Sequence, residues 1–321
     1  MNKVTIIIPH YNSVKSAIRL LESIYYERGT AELIKTIVVD DRSSDDITEL
    51  KEKISSLKNV KFLINDTPSK GAGACRNLGL KEVKSEWLIF ADADDYFEKG
   101  LKNRIIENNN SPADIIYFKC TSVEEDTGEV SNRHVFLNEM LSRYNKNKTI
   151  ENERYLKFNW IVPWGKMIKS SIVIENNLKF DEIMVSNDVM FSIKLGVHVE
   201  EIEVANDTLY CVTKSTGSLT TSISKKNYEI RTNVILEKNI FLRQYFKKDE
   251  LKKLDNYSMR WLLDGYSIYK LKMKELIKYF VLFRKNEIPF LPPISKFKKI
   301  NKLIKDTRVE KKYRSLDNNE N

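Results

Sequence analysis

Trp87-Leu88-Ile89-Phe90-Ala91-Asp92-Ala93-Asp94-Asp95 is an apolar run that ends in three carboxylates. An unbroken run of bulky side chains without polar alternation reads as a strand buried on both faces, so the acids emerge at its carboxyl end. Two other runs share this layout. Residues 4–8 lead into Pro9-His10-Tyr11-Asn12, and residues 34–39 lead into Asp40-Asp41-Arg42-Ser43. Loops leaving the carboxyl ends of parallel strands share one edge of an open sheet, so these polar groups are expected to converge on one crevice.

Between the runs, residues 13–27 place Ile18, Leu21 and Ile24 at helical spacing. Residues 45–57 open with carboxylates that suit the positive end of a helix. Residues 60–64 and 113–118 read as further strands, and residues 71–83 as a helix. Such alternation predicts a largely parallel sheet covered on both faces and reached through right-handed crossovers.

A chain of 321 residues favours one large α/β domain with a helical extension. Hydrophobic content of 41% beside 31% charged residues excludes a disordered chain. The uncharged stretch near residues 4–14 is too short to span a bilayer, and no transmembrane helix is expected. No basic, apolar and cleavage-site pattern opens the chain, so a cytoplasmic location is expected. Cys75, Cys120 and Cys211 lack metal-ligand spacing and suit a reducing compartment. Cys75 reads as a small apolar helix residue. His10 borders a motif, where a structural role is at least as probable as a chemical one.

The net charge of +9 is concentrated near the end of the chain. Residues 270–314 carry 15 Lys/Arg against four Asp/Glu, a surplus of +11; with Asp317 and Glu320 counted, residues 1–269 are neutral. These lysines alternate with Tyr279, Phe280, Leu282, Phe283, Phe290, Phe297 and Ile300. A basic amphipathic segment behind a neutral body points to an anionic membrane surface, the alternative being a packed helix with solvated lysines. No nucleic-acid motif accompanies the charge.

Clustered acids such as Asp92, Asp94 and Asp95 repel one another unless a cation or hydrogen-bond donors offset them. A hard divalent ion, Mn²⁺ or Mg²⁺, bridging them to a diphosphate would do so. One carboxylate of Asp40 or Asp41 can accept from a base N–H, and Tyr11 offers a ring for stacking. Gly71 and Gly73 beside Arg76 let backbone approach a phosphate, although a lone G-x-G is weak evidence.

In their order, these blocks together with Val38-Val39 and Gly73-Ala74-Cys75-Arg76-Asn77 resemble the nucleotide-binding half of a family 2 glycosyltransferase of the GT-A type. Pro163-Trp164-Gly165-Lys166, Leu178-Lys179-Phe180 and Asn187-Asp188-Val189-Met190-Phe191 resemble the acceptor side of bacterial members that build surface polysaccharides. The resemblance implies a GT-A domain over residues 1–220, with a nucleotide half at 1–120 and an acceptor half at 121–220. Residues 221–321 lie outside it, as a basic helical extension expected to associate with membrane.

The resemblance also implies roles. Pro9, Tyr11 and Asp41 border the uracil or ribose, Arg76 approaches the nucleotide, and Asp92 touches the ribose. Asp94 holds the metal with Asp95 beside it, and Asp188 is the base of an inverting transfer from a UDP-sugar to a glycan hydroxyl, lipid-linked by expectation. Asn187 stands where the family usually has Glu, Arg42 where it has Gly, and Cys75 where Ala is commoner. Trp160, Trp164, Lys166 and Asn187 are the acceptor-side candidates; the indoles could serve as stacking faces for a sugar, with a core or interface role as their default. A nucleotidyltransferase would instead need a Gly-rich basic loop after the first strand, where Pro9-His10-Tyr11-Asn12 stands. A non-catalytic scaffold would tolerate loss of Asp94 or Asp188, and both are present.

Overall fold

The computed structural model describes residues 2–214 and 223–291. The chain divides into two compact units, Met1–Ser218 and Leu219–Asn321. The first opens with β1 (Val4–His10), α1 (Val14–Tyr25), α2 (Thr30–Leu33), β2 (Ile34–Asp40), α3 (Thr48–Ser56), β3 (Val60–Ile64), α4 (Ala72–Leu80) and β4 (Trp87–Phe90). It continues through β5 (Tyr96–Phe97), α5 (Leu101–Asn108), β6 (Ile115–Glu124), α6 (Val135–Lys146) and α7 (Ile150–Asn159). It ends with β7 (Lys166–Lys169), α8 (Ser170–Glu175), α9 (Val189–His198) and β8 (Ile202–Lys214).

These strands form one eight-stranded sheet in the order β3-β2-β1-β4-β7-β6-β8-β5. The β3-β2-β1-β4 half is wholly parallel, with Val4 paired to Ile34 on one side and to Trp87 on the other. The chain steps outward from β1 to β3 and returns to the far side of β1 with β4. That reversal opens a crevice at the carboxyl ends of β1 and β4, where a doubly wound sheet takes its ligand. This is the GT-A arrangement expected from the sequence, with helices on the sheet.

Local chemistry accounts for these elements. β1 and β4 are buried almost throughout, as their apolar runs, broken only by Thr5, require. α1 buries Ala17, Leu20, Leu21 and Ile24, a face rotated slightly from the expected Ile18 stripe. The fifth expected strand, over 113–118, starts at Ile115 and runs on to Glu124, well past residue 118.

Strands β5, β7 and β8 were not expected. β7 runs antiparallel between β4 and β6, and β5 antiparallel to β8 at the edge. β8 carries exposed Asn206-Asp207 in mid-strand, and its register against β6 shifts there from Tyr117↔Val204 to Lys119↔Thr208. A bulge absorbs the polar pair, which disguises the strand as a loop in the sequence.

The second unit contains α10 (Lys225–Leu242), α11 (Lys248–Lys253), α12 (Met259–Ser267) and α13 (Met273–Lys285). Tyr228 lies at its centre, stacked on Trp261 and edge-on to Tyr269 and Tyr279. Residues 248–282 carry apolar side chains at helical spacing throughout, yet the chain breaks the helix twice. Asp255 and Lys270 take positive φ of 58° and 55°, and Glu275 accepts the Lys272 backbone N–H at 2.8 Å to start α13 afresh. No helix among the described residues is long and apolar enough to cross a membrane.

Candidate active site

The carboxyl ends of β1 and β2 are tied by a buried hydrogen-bond network. His10 Nε2 accepts the Ser13 N–H at 3.3 Å, which leaves Nδ1 to donate to Asp40 Oδ1 at 2.8 Å. Ser43 adds its hydroxyl to Asp40 Oδ1 at 2.6 Å and its N–H to Oδ2 at 3.0 Å. Burial alone would raise the Asp40 carboxyl; the hydrogen bonds from Ser43 and His10 outweigh it and hold the group below its ordinary value. His10 is thus a structural strut, and Asn12 completes the latch by donating its N–H to Ser43 Oγ at 2.9 Å.

A carboxylate favoured in the folded state stabilises the fold above its unfolded pKa and loses that contribution as pH falls through the lowered folded value. Ser43→Ala should therefore cost about 1–2 kcal/mol at neutral pH. Urea unfolding should show the gap between parent and variant closing as pH drops below 3.8, the unperturbed value. A gap of equal size at pH 7 and in acid would remove Asp40 from this account.

Asp41 is buried, and both its oxygens are held: Oδ1 by Asn65 Nδ2 at 2.6 Å and Oδ2 by the Gly71 N–H at 2.6 Å. It fixes the loop ahead of α4, and the Cys75 thiol also bonds to it. Tyr11, 54% exposed beyond Pro9 at the end of β1, presents a free ring to the same edge. Asn65 was missed by sequence reasoning, although it follows β3 as Asp41 follows β2.

The Gly73-Ala74-Cys75-Arg76-Asn77 block on α4 clamps the segment that leads to Asp188. Asn77 exchanges hydrogen bonds with the Phe180 backbone at 2.9 and 2.8 Å. Arg76, buried against the Phe180 ring, donates Nη2 to Asp92 Oδ1 at 2.5 Å and Nη1 to Asn187 Oδ1 at 2.9 Å. One guanidinium thus joins the end of β4 to the residue before Asp188. Cys75 is fully buried, and burial followed by the neighbouring Asp41 charge pushes its thiol up, away from nucleophilic character.

At Gly73 a Cβ would lie 2.1 Å from the Asp181 carbonyl oxygen, a contact only backbone movement could relieve. Gly73→Ala should lower stability by about 1–3 kcal/mol through overpacking and displace the 181–188 segment. Thermal melting should report the loss, and a variant that melts like the parent would show that the clamp yields freely.

Asp188 is half-buried just ahead of α9. Phe191 on α9 stacks on Phe180 at 4.0 Å, and Phe90 of β4 meets both rings edge-on, at 4.9 Å to Phe180 and 5.5 Å to Phe191. This triad pins the Asp188 helix to the central strand. Burial pushes the Asp188 carboxyl up from its ordinary value, while Arg76 and Lys166 pull it back.

The three acids after β4 occupy different settings. Asp92 is partly exposed on Arg76, and its N–H donates to Tyr210 Oη at 2.8 Å. Asp94 is pushed up to about 6 by burial and then by the Asp92 charge, with Arg133 opposing. Arg19 Nη2 holds its carbonyl oxygen at 2.5 Å. Asp95 departs from the expectation of a metal ligand. It is 2% exposed, accepts the Thr213 N–H at 2.7 Å and the Tyr210 hydroxyl, and burial followed by Asp94 raises its carboxyl well above the ordinary range. Its place is behind the site, tying β8 to the acidic turn.

The indoles take the core role that was their default, not the acceptor platform. Trp160 is fully buried and donates Nε1–H to the Trp164 carbonyl at 3.1 Å, while Trp164 stacks on Tyr210 at 5.6 Å. Neither offers a face to a sugar. Lys166 is 1% exposed, with Nζ 3.4 Å from the Trp160 carbonyl; burial pushes its amine down to about 7 against the opposing pull of Asp188. It lies beneath the site, away from solvent. Tyr210 and Arg133 join the site from β8 and the turn before α6, positions that local sequence does not mark.

Among the described residues no group of three His, Cys, Asp or Glu side chains forms a ready-made metal cage. The donor set still fits a hard cation. Asp94 is a carboxylate raised by burial and then by the Asp92 charge, and Mg²⁺-type ions commonly bind through one or two carboxylates with substrate phosphates completing the shell.

Comparison with known proteins identifies the family of this fold. TarS of Staphylococcus aureus (strain Mu50 / ATCC 700699), named a poly(ribitol-phosphate) beta-N-acetylglucosaminyltransferase, is 27% identical over 212 residues, 65% of this chain and 35% of that protein. The putative glycosyltransferase EpsH of Bacillus subtilis (strain 168) is 23% identical over 79% of this chain and 73% of its own length. The chain thus spans about a third of TarS but most of EpsH. The crystal structure of S. aureus TarS 1-349 in complex with UDP-GlcNAc matches with a TM-score of 0.69 at 23% identity, over 88% of this chain and 80% of that one. Residues 5–175 match the family model for glycosyl transferase family 2, and this chain belongs to that family.

Proposed function

We propose that this protein transfers a sugar from a UDP-sugar to a hydroxyl of a glycan acceptor, with inversion, in the synthesis of a bacterial surface polysaccharide. The observation that carries the reading is Arg76, which joins Asp92 at the crevice to Asn187 beside Asp188. Donor-side acids and candidate base are thereby built into one site. The names of TarS and EpsH support the reaction class, and the TarS complex with UDP-GlcNAc supports a uridine nucleotide.

The residues divide the work as follows. Tyr11 stacks on the base, and Pro9 and Asp41 border the uracil and ribose. Asp92 and Arg76 form the wall on the nucleotide side. Asp94 holds Mn²⁺ or Mg²⁺, and a cation bound there would neutralise charge developing on the leaving diphosphate. Asp188 takes the proton from the acceptor hydroxyl, which is a poor nucleophile at neutral pH. A single in-line displacement turns an α-linked donor into a β-linked product. Asn187 leaves the acceptor side with one carboxylate fewer than a Glu would, and Lys166 supports Asp188 from below.

We further place the enzyme at the cytoplasmic face of the membrane, as a peripheral protein presented with a lipid-linked acceptor. The charge of residues 270–314 supports this location, of which 292–314 lie outside the described residues. The direct test is a panel of nucleotide sugars assayed for UDP release with and without divalent cation, followed by NMR of the product linkage. An α-linked product from an α-linked donor would overturn inversion, and release from no UDP-sugar would overturn the donor assignment.

A further inference from the structure

α13 is apolar on two sides. Leu276, Tyr279 and Phe283 turn inward, with Leu276 packed in the Tyr228 cluster and Phe283 fully buried. Met273, Ile277, Phe280 and Val281 are spaced at i, i+4, i+7 and i+8, and all four are exposed, Met273 at 64% and Ile277 at 59%. Phe290 packs edge-on against Phe280 at 5.5 Å, so Phe290 and Leu291, both exposed, extend the patch past the end of the helix. Isolated exposed apolar side chains need no explanation, whereas a contiguous patch marks a contact surface.

The charges beside the stripe identify its partner. At 100° per residue, Lys274, Lys278 and Lys285 share a strip directly flanking Val281, and all three are exposed. The acid nearest the start of the helix, Glu275, is turned to the other side and bonded to Lys225 at 2.9 Å. Beyond Leu291 the sequence adds nine Lys/Arg and two Asp/Glu up to residue 314. An apolar stripe with a basic flank on a helix too short and too charged to span is the pattern of a segment lying in the plane of an anionic interface.

We propose that the Met273–Ile277–Phe280–Val281 stripe of α13, continued by Phe290 and Leu291, inserts into the headgroup region of an anionic bilayer while the lysine strip meets the lipid phosphates. The inference rests on the peripheral location proposed above and names the surface that performs it. Insertion supplies a salt-resistant component of binding, and the lysines supply a salt-sensitive one.

The test uses the full chain and vesicles of phosphatidylcholine with and without phosphatidylglycerol. The parent should sediment with the anionic vesicles and not with the neutral ones. Ile277→Ser combined with Phe280→Ser changes only exposed side chains, so melting followed by circular dichroism should match the parent. This double variant should bind anionic vesicles about tenfold or more weakly, as expected for two apolar side chains removed from an interface, and its residual binding should be released by less salt. If the double variant binds like the parent and salt releases both, charge alone attaches the protein; the stripe is then overturned and the location stands. Absence of parental binding at low salt overturns both. A parent that sediments as a dimer, with a monomeric double variant, would assign the stripe to a second copy of this chain and overturn the proposal.

Discussion

Asp188→Asn should bind UDP-sugar like the parent and transfer it about 10²–10⁴-fold more slowly, the range typical of a lost general base. The substitution preserves size and leaves hydrogen-bonding atoms in place. It also removes no cap, since the Asp188 side chain makes no capping bond to α9. The helix stays pinned by the Phe90, Phe180 and Phe191 rings, so melting should be unchanged. Burial raises the Asp188 carboxyl, so in the parent the acid limb of the rate profile should lie above the ordinary carboxylate range. Activity should rise with pH there because the proposed base works as the carboxylate, and the variant should lack that limb. Transfer at the parental rate would place the base on another residue.

What the sequence exposed about this fold was whatever is encoded locally. The parallel half reads directly, because β1, β2 and β4 are mostly apolar runs, interrupted only by Thr5, Lys35 and Thr36, whose polar termini fall at one sheet edge. β8 was hidden because Asn206-Asp207 sit in a bulge, which breaks the periodicity a strand reading depends on. β5 is two residues long and carries no periodicity of its own. The helical unit misled in the opposite direction, since residues 248–282 keep helical spacing across two breaks set by single positive-φ residues that are not glycine.

The site was legible to the same extent. Acids at strand ends could be found, but their division of labour could not. Asp94 and Asp95 are neighbours in sequence, and only the pairing of Asp95 with Thr213 and Tyr210, more than 100 positions away, withdraws it from the crevice. Trp160 and Trp164 could be either stacking platforms or core in a string of letters, and they prove to be packing for Lys166 and Tyr210. Arg76 was read as a nucleotide contact. Its bonds to Asp92 and Asn187 give it a positioning task that depends on residues 16 and 111 positions away.

That separation of Asp94 from Asp95 makes the second large effect specific. Asp94→Ala should reduce turnover about 10³-fold or more, because it removes the carboxylate able to hold a cation against the leaving diphosphate. Its backbone tie to Arg19 runs through the carbonyl oxygen and survives the substitution. Burial and the Asp92 charge both disfavour the Asp94 carboxylate, so without cation the variant should melt at or above the parental temperature. Addition of Mn²⁺ with UDP should stabilise the parent and leave the variant unmoved. Asp95→Ala should behave in the reverse way, losing about 1–3 kcal/mol of stability with or without cation, since it strands the buried Thr213 N–H and Tyr210 hydroxyl. A chelator that leaves parental turnover intact, or an Asp94→Ala enzyme as active as the parent, would exclude Asp94 as the metal ligand. If instead the two variants exchanged these phenotypes, the cation would belong to Asp95, and the buried carboxylate would have to turn outward and release β8 each time it bound.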